Sequence, residues 1–227
     1  MSAGADFEER AVWIPAGPVT LEGGLSLPPG AAGVVAFAHG SGSSRHSPRN
    51  RQVASTLAAA GLATLLFDLL TPGEEAEDIR TRVLRFDIAL LAERVIAAVD
   101  WLAAQDATGG LAAGLFGAST GAAAALVAAA ARPERVSAVV SRGGRPDLAG
   151  PALAGVRAPT LLIVGSRDQP VIEMNREAMR GLTGECQLEI VAGASHLFEE
   201  PGALERVAGL ARHWFRHHFL PHLEGPA

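Results

Sequence analysis

Apolar positions in this chain follow two periods, and the alternation between them outlines a fold. Near the start, residues 11–16 and 19–27 read as two strands. Gly17-Pro18 separates them as a turn pair, Glu22-Gly23-Gly24 is a candidate bulge, and Pro28-Pro29-Gly30 ends the pair. They are expected to form an antiparallel edge of a larger sheet. From residue 33 onward, short continuous apolar runs alternate with helical stretches. The runs are 33–38, 63–70, 111–116, 135–141, 160–164 and 187–191, as suits strands buried on both faces. Helices are expected over 48–60 (closed by Gly61), 83–104, 120–131, 171–182 and 202–219. In 83–104, Leu84, Ile88, Leu91, Val95, Val99 and Leu102 share one face; in the last helix Leu204, Val207, Ala211, Trp214 and Phe215 do. The acidic stretch 74–78 reads as a solvated loop or a helix start, 147–158 as irregular or weakly helical, and 1–10 as a loose polar tail.

Strands and helices alternating at this spacing specify an α/β fold. The expectation is a mostly parallel twisted sheet with helices on both faces, in a single domain over 1–227 without repeats or linkers. The interval from 141 to 160 is too short for a helical subdomain, so no large cap is expected over the site. In such sheets ligands bind beyond the carboxyl ends of the strands. The residues found there are His39, Ser119, Arg142, Asp168 and His196.

Composition narrows the function classes. A hydrophobic content of 48% marks a globular chain rather than a disordered one. The net charge is −5, with every basic side chain an Arg, which leaves no basic footprint for nucleic acid. The single cysteine, Cys186, excludes an internal disulfide and fits a reducing, cytoplasmic setting. No apolar run reaches the ~18 residues of a membrane span. The acidic first ten residues lack the apolar stretch of a secretory signal.

The chemistry gathers around Gly117-Ala118-Ser119-Thr120-Gly121, a strand–turn–helix junction with serine at the apex. Glycines at 117 and 121 let strand and helix backbones approach, and the helix start leaves free N–H groups beside Ser119 where an oxyanion would sit. Taken alone, the pentapeptide also fits a plain Gly/Ser turn, Asp168 fits a helix cap, and His196 fits a solvated loop. Their joint order along the chain favours a nucleophile–acid–base set.

That order, Ser119…Asp168…His196, resembles the α/β-hydrolase superfamily. His39-Gly40 looks like its oxyanion loop, and Gly165-Ser166-Arg167-Asp168 and Gly193-Ala194-Ser195-His196 look like its acid and histidine turns. Residues 33–219 match the fold, and within it the chain is most similar to the dienelactone hydrolase-like group. Dienelactone hydrolases proper use a cysteine nucleophile; Ser119 points instead to a serine esterase of small soluble substrates. The resemblance implies a triad of Ser119, His196 and Asp168, with the N–H groups of Thr120 and Ser41 as the oxyanion hole. It implies no cofactor and no metal, and a small-molecule ester as partner. Acyl transfer or perhydrolysis on the same triad, and a non-catalytic binding role, remain alternatives.

Other residues carry weaker expectations. Arg142 is a substrate-binding candidate that could clamp a carboxylate; the competing reading is a salt bridge bracing Gly143-Gly144. His39 is expected to hold the loop by hydrogen bonds, and Cys186 to be chemically inert. Arg45, Arg49 and Arg51 read as surface residues, with attraction of an anionic substrate as the alternative. His213, His217, His218 and His222 read as a solvated face rather than a metal site.

Overall fold

The eight expected strands join into one sheet. In the computed structural model, which describes residues 9–219, the chain runs β1 (Glu9–Ala16), β2 (Val19–Ser26), β3 (Gly33–Ala38), α1 (Pro48–Ala59), β4 (Ala63–Phe67), α2 (Pro72–Thr81), α3 (Ile88–Ala104), β5 (Ala112–Ala118), α4 (Thr120–Ala131), β6 (Val136–Arg142), β7 (Thr160–Gly165), α5 (Gln169–Met179), β8 (Cys186–Val191) and α6 (Ala203–Phe219). The strand order is β1-β2-β4-β3-β5-β6-β7-β8. β1 and β2 pair antiparallel, as expected, and β2 joins β4 antiparallel; every pairing from β4 to β8 is parallel. This is the α/β-hydrolase architecture. Among the described residues no helix is long and apolar enough to cross a membrane.

Strand alternation sends side chains to two cores. On one face Val35, Phe37, Phe116, Val140 and Ile163 pack with Val53 and Leu57 of α1 and with Val207, Trp214 and Phe215 of α6. On the other, Val34, Ala36, Leu65, Leu115 and Val139 meet Leu91, Val95 and Val99 of α3 and the alanines of α4. The alanine face is what lets α4 lie close to β5 and hold the junction at Ser119 firmly.

Two expectations need correction. Gly23 and Gly24 make no bulge: the β1–β2 register runs through them unbroken. A Cβ at 23 would lie 3.1 Å from Phe67 Cβ, whereas one at 24 would meet the Glu9 side chain, which is free to swing aside. Of the two readings of 74–78, the helix start is the one found: the stretch lies in α2, opened by a capping box in which Thr71 and Glu74 bond each other's backbone N–H. The single helix over 83–104 is two pieces: a 3₁₀ turn over Leu84–Phe86, then α3, whose first turn is capped by Asp87 accepting from Leu90 N–H at 3.0 Å. The interval after β6 holds only a 3₁₀ segment, Pro146–Gly155, broken at Gly150. Of the expected polar tail, Glu9 and Arg10 belong to β1 and residues 1–8 lie outside the described residues.

Candidate active site

Ser119 sits between β5 and α4 at φ 51°, ψ −121°, a conformation that a non-glycine residue holds at a cost of about 1–3 kcal/mol. Its surroundings enforce it. The Ser119 N–H donates to Arg142 O at 3.3 Å, and Ser119 O accepts from Ala122 N–H and Arg145 N–H, each at 3.1 Å. A Cβ at Gly117 would collide with the Ala122 backbone, and one at Gly121 with the carbonyls of Ala38 and His39. Gly40 lies directly against the apex: a Cβ there would be 3.1 Å from Ser119 Cβ.

Asp168 and His196 come together across 28 residues. The His196 Nδ1–H donates to Asp168 Oδ2 at 2.6 Å, a short, charge-assisted bond that leaves Nε2 as the free acceptor. Asp168 is the N-cap residue of α5 by position, yet its side chain makes no capping bond. Its carboxylate is committed to the histidine. The histidine turn is held from beneath by Glu200, which accepts from Ser195 N–H at 3.0 Å and Ser195 Oγ at 3.3 Å; these bonds hold its carboxyl below the usual range. Residue 143 brings the two halves of the site together. A Cβ built at Gly143 would lie 3.6 Å from His196 Cε1, and its left-handed φ of 51° favours glycine. Ser119 Oγ makes no hydrogen bond to His196 among the described residues.

Thr120 is the first residue of α4, so the helix leaves its N–H unpaired; Ser41 is exposed in the loop after β3. His39 fixes that loop, as expected. Its Nε2 accepts from Leu69 N–H at 3.0 Å and its Nδ1–H donates to Gly40 O at 3.0 Å. Burial pushes its pKa down, against the opposing pull of Gly40 O, Asp68 and Glu75, in keeping with a neutral imidazole. Arg85 leans on the same loop, with Nη1 placed 3.2 Å from where a Gly42 Cβ would stand, and is anchored by fully buried Asp78 through Nε at 2.6 Å. A cleft of about 500 Å³ opens along this loop between His46, Asp68, Leu70 and Glu75.

The remaining candidates separate. Arg142 is buried and makes no ion pair among the described residues, which removes the salt-bridge reading; Asn175 braces the glycine turn instead, donating to Gly144 O at 3.0 Å. Arg45 pairs with Asp68 and Glu22, and Arg51 with Glu9. Asp147, the carboxylate that follows the end of β6, is engaged by Arg145 at 2.7 Å. Cys186 begins edge strand β8, where burial pushes its thiol up to about 11, away from the reactive thiolate. His213 and His217 lie along α6 with rings 6.4 Å apart, and among the described residues no group of three ligating side chains could hold a metal; His222 lies outside them. Glu200, Asn175 and the Asp78–Arg85 pair were not legible as site residues, although Glu200 lies only four positions beyond His196.

Known proteins resemble this chain in sequence and in fold. The model of the dienelactone hydrolase family matches residues 21–218. A crystal structure described as dienelactone hydrolase from Anabaena variabilis is 62% identical, with a TM-score of 0.92 over 93% of this chain and 98% of that one. Est1E from Butyrivibrio proteoclasticus, in a structure with bound ferulic acid, shares the fold at 17% identity and a TM-score of 0.77, over 92% of this chain and 99% of that one. A Mycobacterium tuberculosis protein named "Putative phosphoribosyl transferase" is 58% identical over all of this chain, which spans half the length of that relative. The chain belongs to the dienelactone hydrolase family.

Proposed function

We propose that the protein is a serine hydrolase that cleaves carboxylic esters of small soluble substrates through an acyl-enzyme. The observation that carries this reading is the Asp168–His196 bond of 2.6 Å beside a serine held in a strained strand-to-helix turn. Asp168 fixes the imidazole with its proton on Nδ1, so Nε2 is the base that takes the Ser119 proton as Oγ attacks the ester carbonyl. The oxyanion is received by the N–H groups of Thr120 and Ser41. His196 returns the proton to the leaving alcohol, and water repeats the sequence to release the acid. The name of the mycobacterial relative refers to a protein twice as long, and the chemistry proposed for these 227 residues is acyl transfer to water. A fluorophosphonate probe together with hydrolysis of p-nitrophenyl acetate tests the reading. Labelling of Ser119 with turnover supports it; an unlabelled, inactive protein would overturn it.

A further inference from the structure

In the proposed reaction three groups act together, yet only two of them are bonded. His196 holds Asp168, while Ser119 Oγ is bonded to neither among the described residues. The spacing of base and nucleophile is therefore set by what stands between them, the turn Gly143-Gly144-Arg145 at the end of β6.

That turn is a junction. Gly143 N–H donates to Ile163 O of β7 at 2.7 Å, and the residue packs on His196, whose carbonyl oxygen would lie 3.0 Å from a Cβ at 143. Arg145 N–H donates to Ser119 O at 3.1 Å. Gly144 is wedged between the Ser141 hydroxyl and Ala122, which leaves no room for a side chain. Its carbonyl accepts from Asn175 Nδ2 at 3.0 Å, and Asn175 belongs to α5, the helix that Asp168 opens. The turn thus meets the elements of all three triad members. Of these three hydrogen bonds, only that of Asn175 is made by a side chain.

Asn175 is out of place by every other measure. The rest of the buried face of α5 is Val171, Ile172 and Ala178. Asn175 is wholly buried; its Nδ2 serves Gly144 O and Val171 O, but its Oδ1 is buried without a partner. Val171 stands four residues back, where the helix backbone already supplies a donor. A buried amide with an unpaired oxygen is costly, and an aliphatic side chain would fill this face without it. What the asparagine alone supplies is the bond to Gly144.

We infer that Asn175 is a positioning residue for the hydrolysis: it ties the helix that carries the acid to the turn that spaces His196 from Ser119, and so sets the distance over which Nε2 takes the Ser119 proton. This rests on the ester-hydrolase reading above. A misplacement of about 1 Å at such a step costs about 10²-fold in rate. The bond aligns base and nucleophile and makes no contact with the ester, so its loss falls on kcat and leaves KM in place.

Asn175→Leu keeps the bulk of the side chain and removes the donor. In this variant kcat for p-nitrophenyl acetate should fall about 10²-fold with KM nearly unchanged. Fluorophosphonate labelling, which reports the Ser119 attack alone, should slow by a similar factor. The far-downfield proton resonance of the Asp168–His196 bond should stay as in the parent, because that pair is made without Asn175. All three are read well below the melting temperature of the variant. A purely structural asparagine predicts a lowered melting temperature with the folded fraction labelled at the parent's rate, and that result overturns the inference. Loss of the Asp168–His196 resonance overturns it too, since the effect would then lie on the acid and not on the turn. Should the leucine variant not fold, Asn175→Ala is judged by the same three measurements. A parent protein that neither labels nor turns over sinks the hydrolase reading and the inference with it. A parent that labels, beside variants that label equally fast, sinks the inference alone.

Discussion

Asp168 holds the N-cap position of α5 but gives its carboxylate to His196 Nδ1, at 2.6 Å, rather than to the helix. A capping bond at this position is ordinarily worth about 1 kcal/mol, and the chain forgoes it. Pro170, in the first turn of α5, lowers the need, since it has no N–H to satisfy. Asp168→Asn is therefore expected to leave the melting temperature nearly unchanged while lowering kcat by several orders of magnitude, because an amide favours the wrong imidazole tautomer. A loss smaller than about tenfold would place the acid elsewhere.

Ser119→Ala is expected to abolish fluorophosphonate labelling and to reduce turnover at least ~1000-fold, since nucleophile and base act as one unit. The same change removes a side chain held at positive φ without altering its backbone bonds, so the folded protein should survive for the comparison. Near-full esterase activity in the variant would show that the elbow serine is not the nucleophile.

Much of this arrangement was readable from residue order because the sheet puts strand ends on one edge. Once the apolar runs are placed, Ser119, Asp168 and His196 must share that edge, whatever their separation in sequence. What was not readable depends on packing between distant segments. Arg142 meets Asn50 across 92 positions, and nothing local signals that its guanidinium would end buried without an acid. The helix over 83–104 was overextended because Leu84 and Ile88 continue the apolar face of α3, while the Asp87 cap between them restarts the helix. At α2 two readings stayed open, because the polar residues of the Thr71-Pro72-Gly73-Glu74 capping box suit a loop as well as a helix start.

The Asp78–Arg85 pair predicts an acid limit on stability. Burial alone would raise the Asp78 carboxyl, but the Arg85 N–H and guanidinium, together with Leu84 N–H, outweigh it and hold the folded pKa below the ordinary value of about 3.9. A depressed folded pKa means that the stabilisation is complete above the ordinary carboxylate range and is lost as pH falls through that range toward the folded value. Melting temperature followed from neutral pH down to the acid limb should fall less steeply in Asp78→Asn than in the parent, from a lower starting point. Parallel curves would remove the pair from the account of acid lability. The variant should also weaken turnover, because Arg85 leans on Gly42 of the loop that carries Ser41.

Two glycine-to-alanine changes should move stability in opposite directions. Gly209 lies in the interior of α6, has ordinary helical dihedrals, and a Cβ there meets nothing within 4 Å. Alanine removes conformational freedom from the unfolded chain at no steric cost, so Gly209→Ala should stabilise the protein by about 0.4–1 kcal/mol. Gly121 is also helical, in the first turn of α4, but its Cβ would be driven into the Ala38 and His39 carbonyls. Those atoms belong to β3 and the loop it opens, so neither can swing aside as a flexible side chain would. Relief requires moving α4 away from β3, which displaces Ser119 from Gly40 and the amide of Thr120 from that of Ser41. Gly121→Ala should therefore cost about 3 kcal/mol or more and depress kcat beyond what residual folding explains. Denaturant unfolding of both variants, with turnover measured well below the lowered transition, decides the matter. If Gly121→Ala behaved like Gly209→Ala, the close approach of α4 to β3 would not be what holds the serine turn in place.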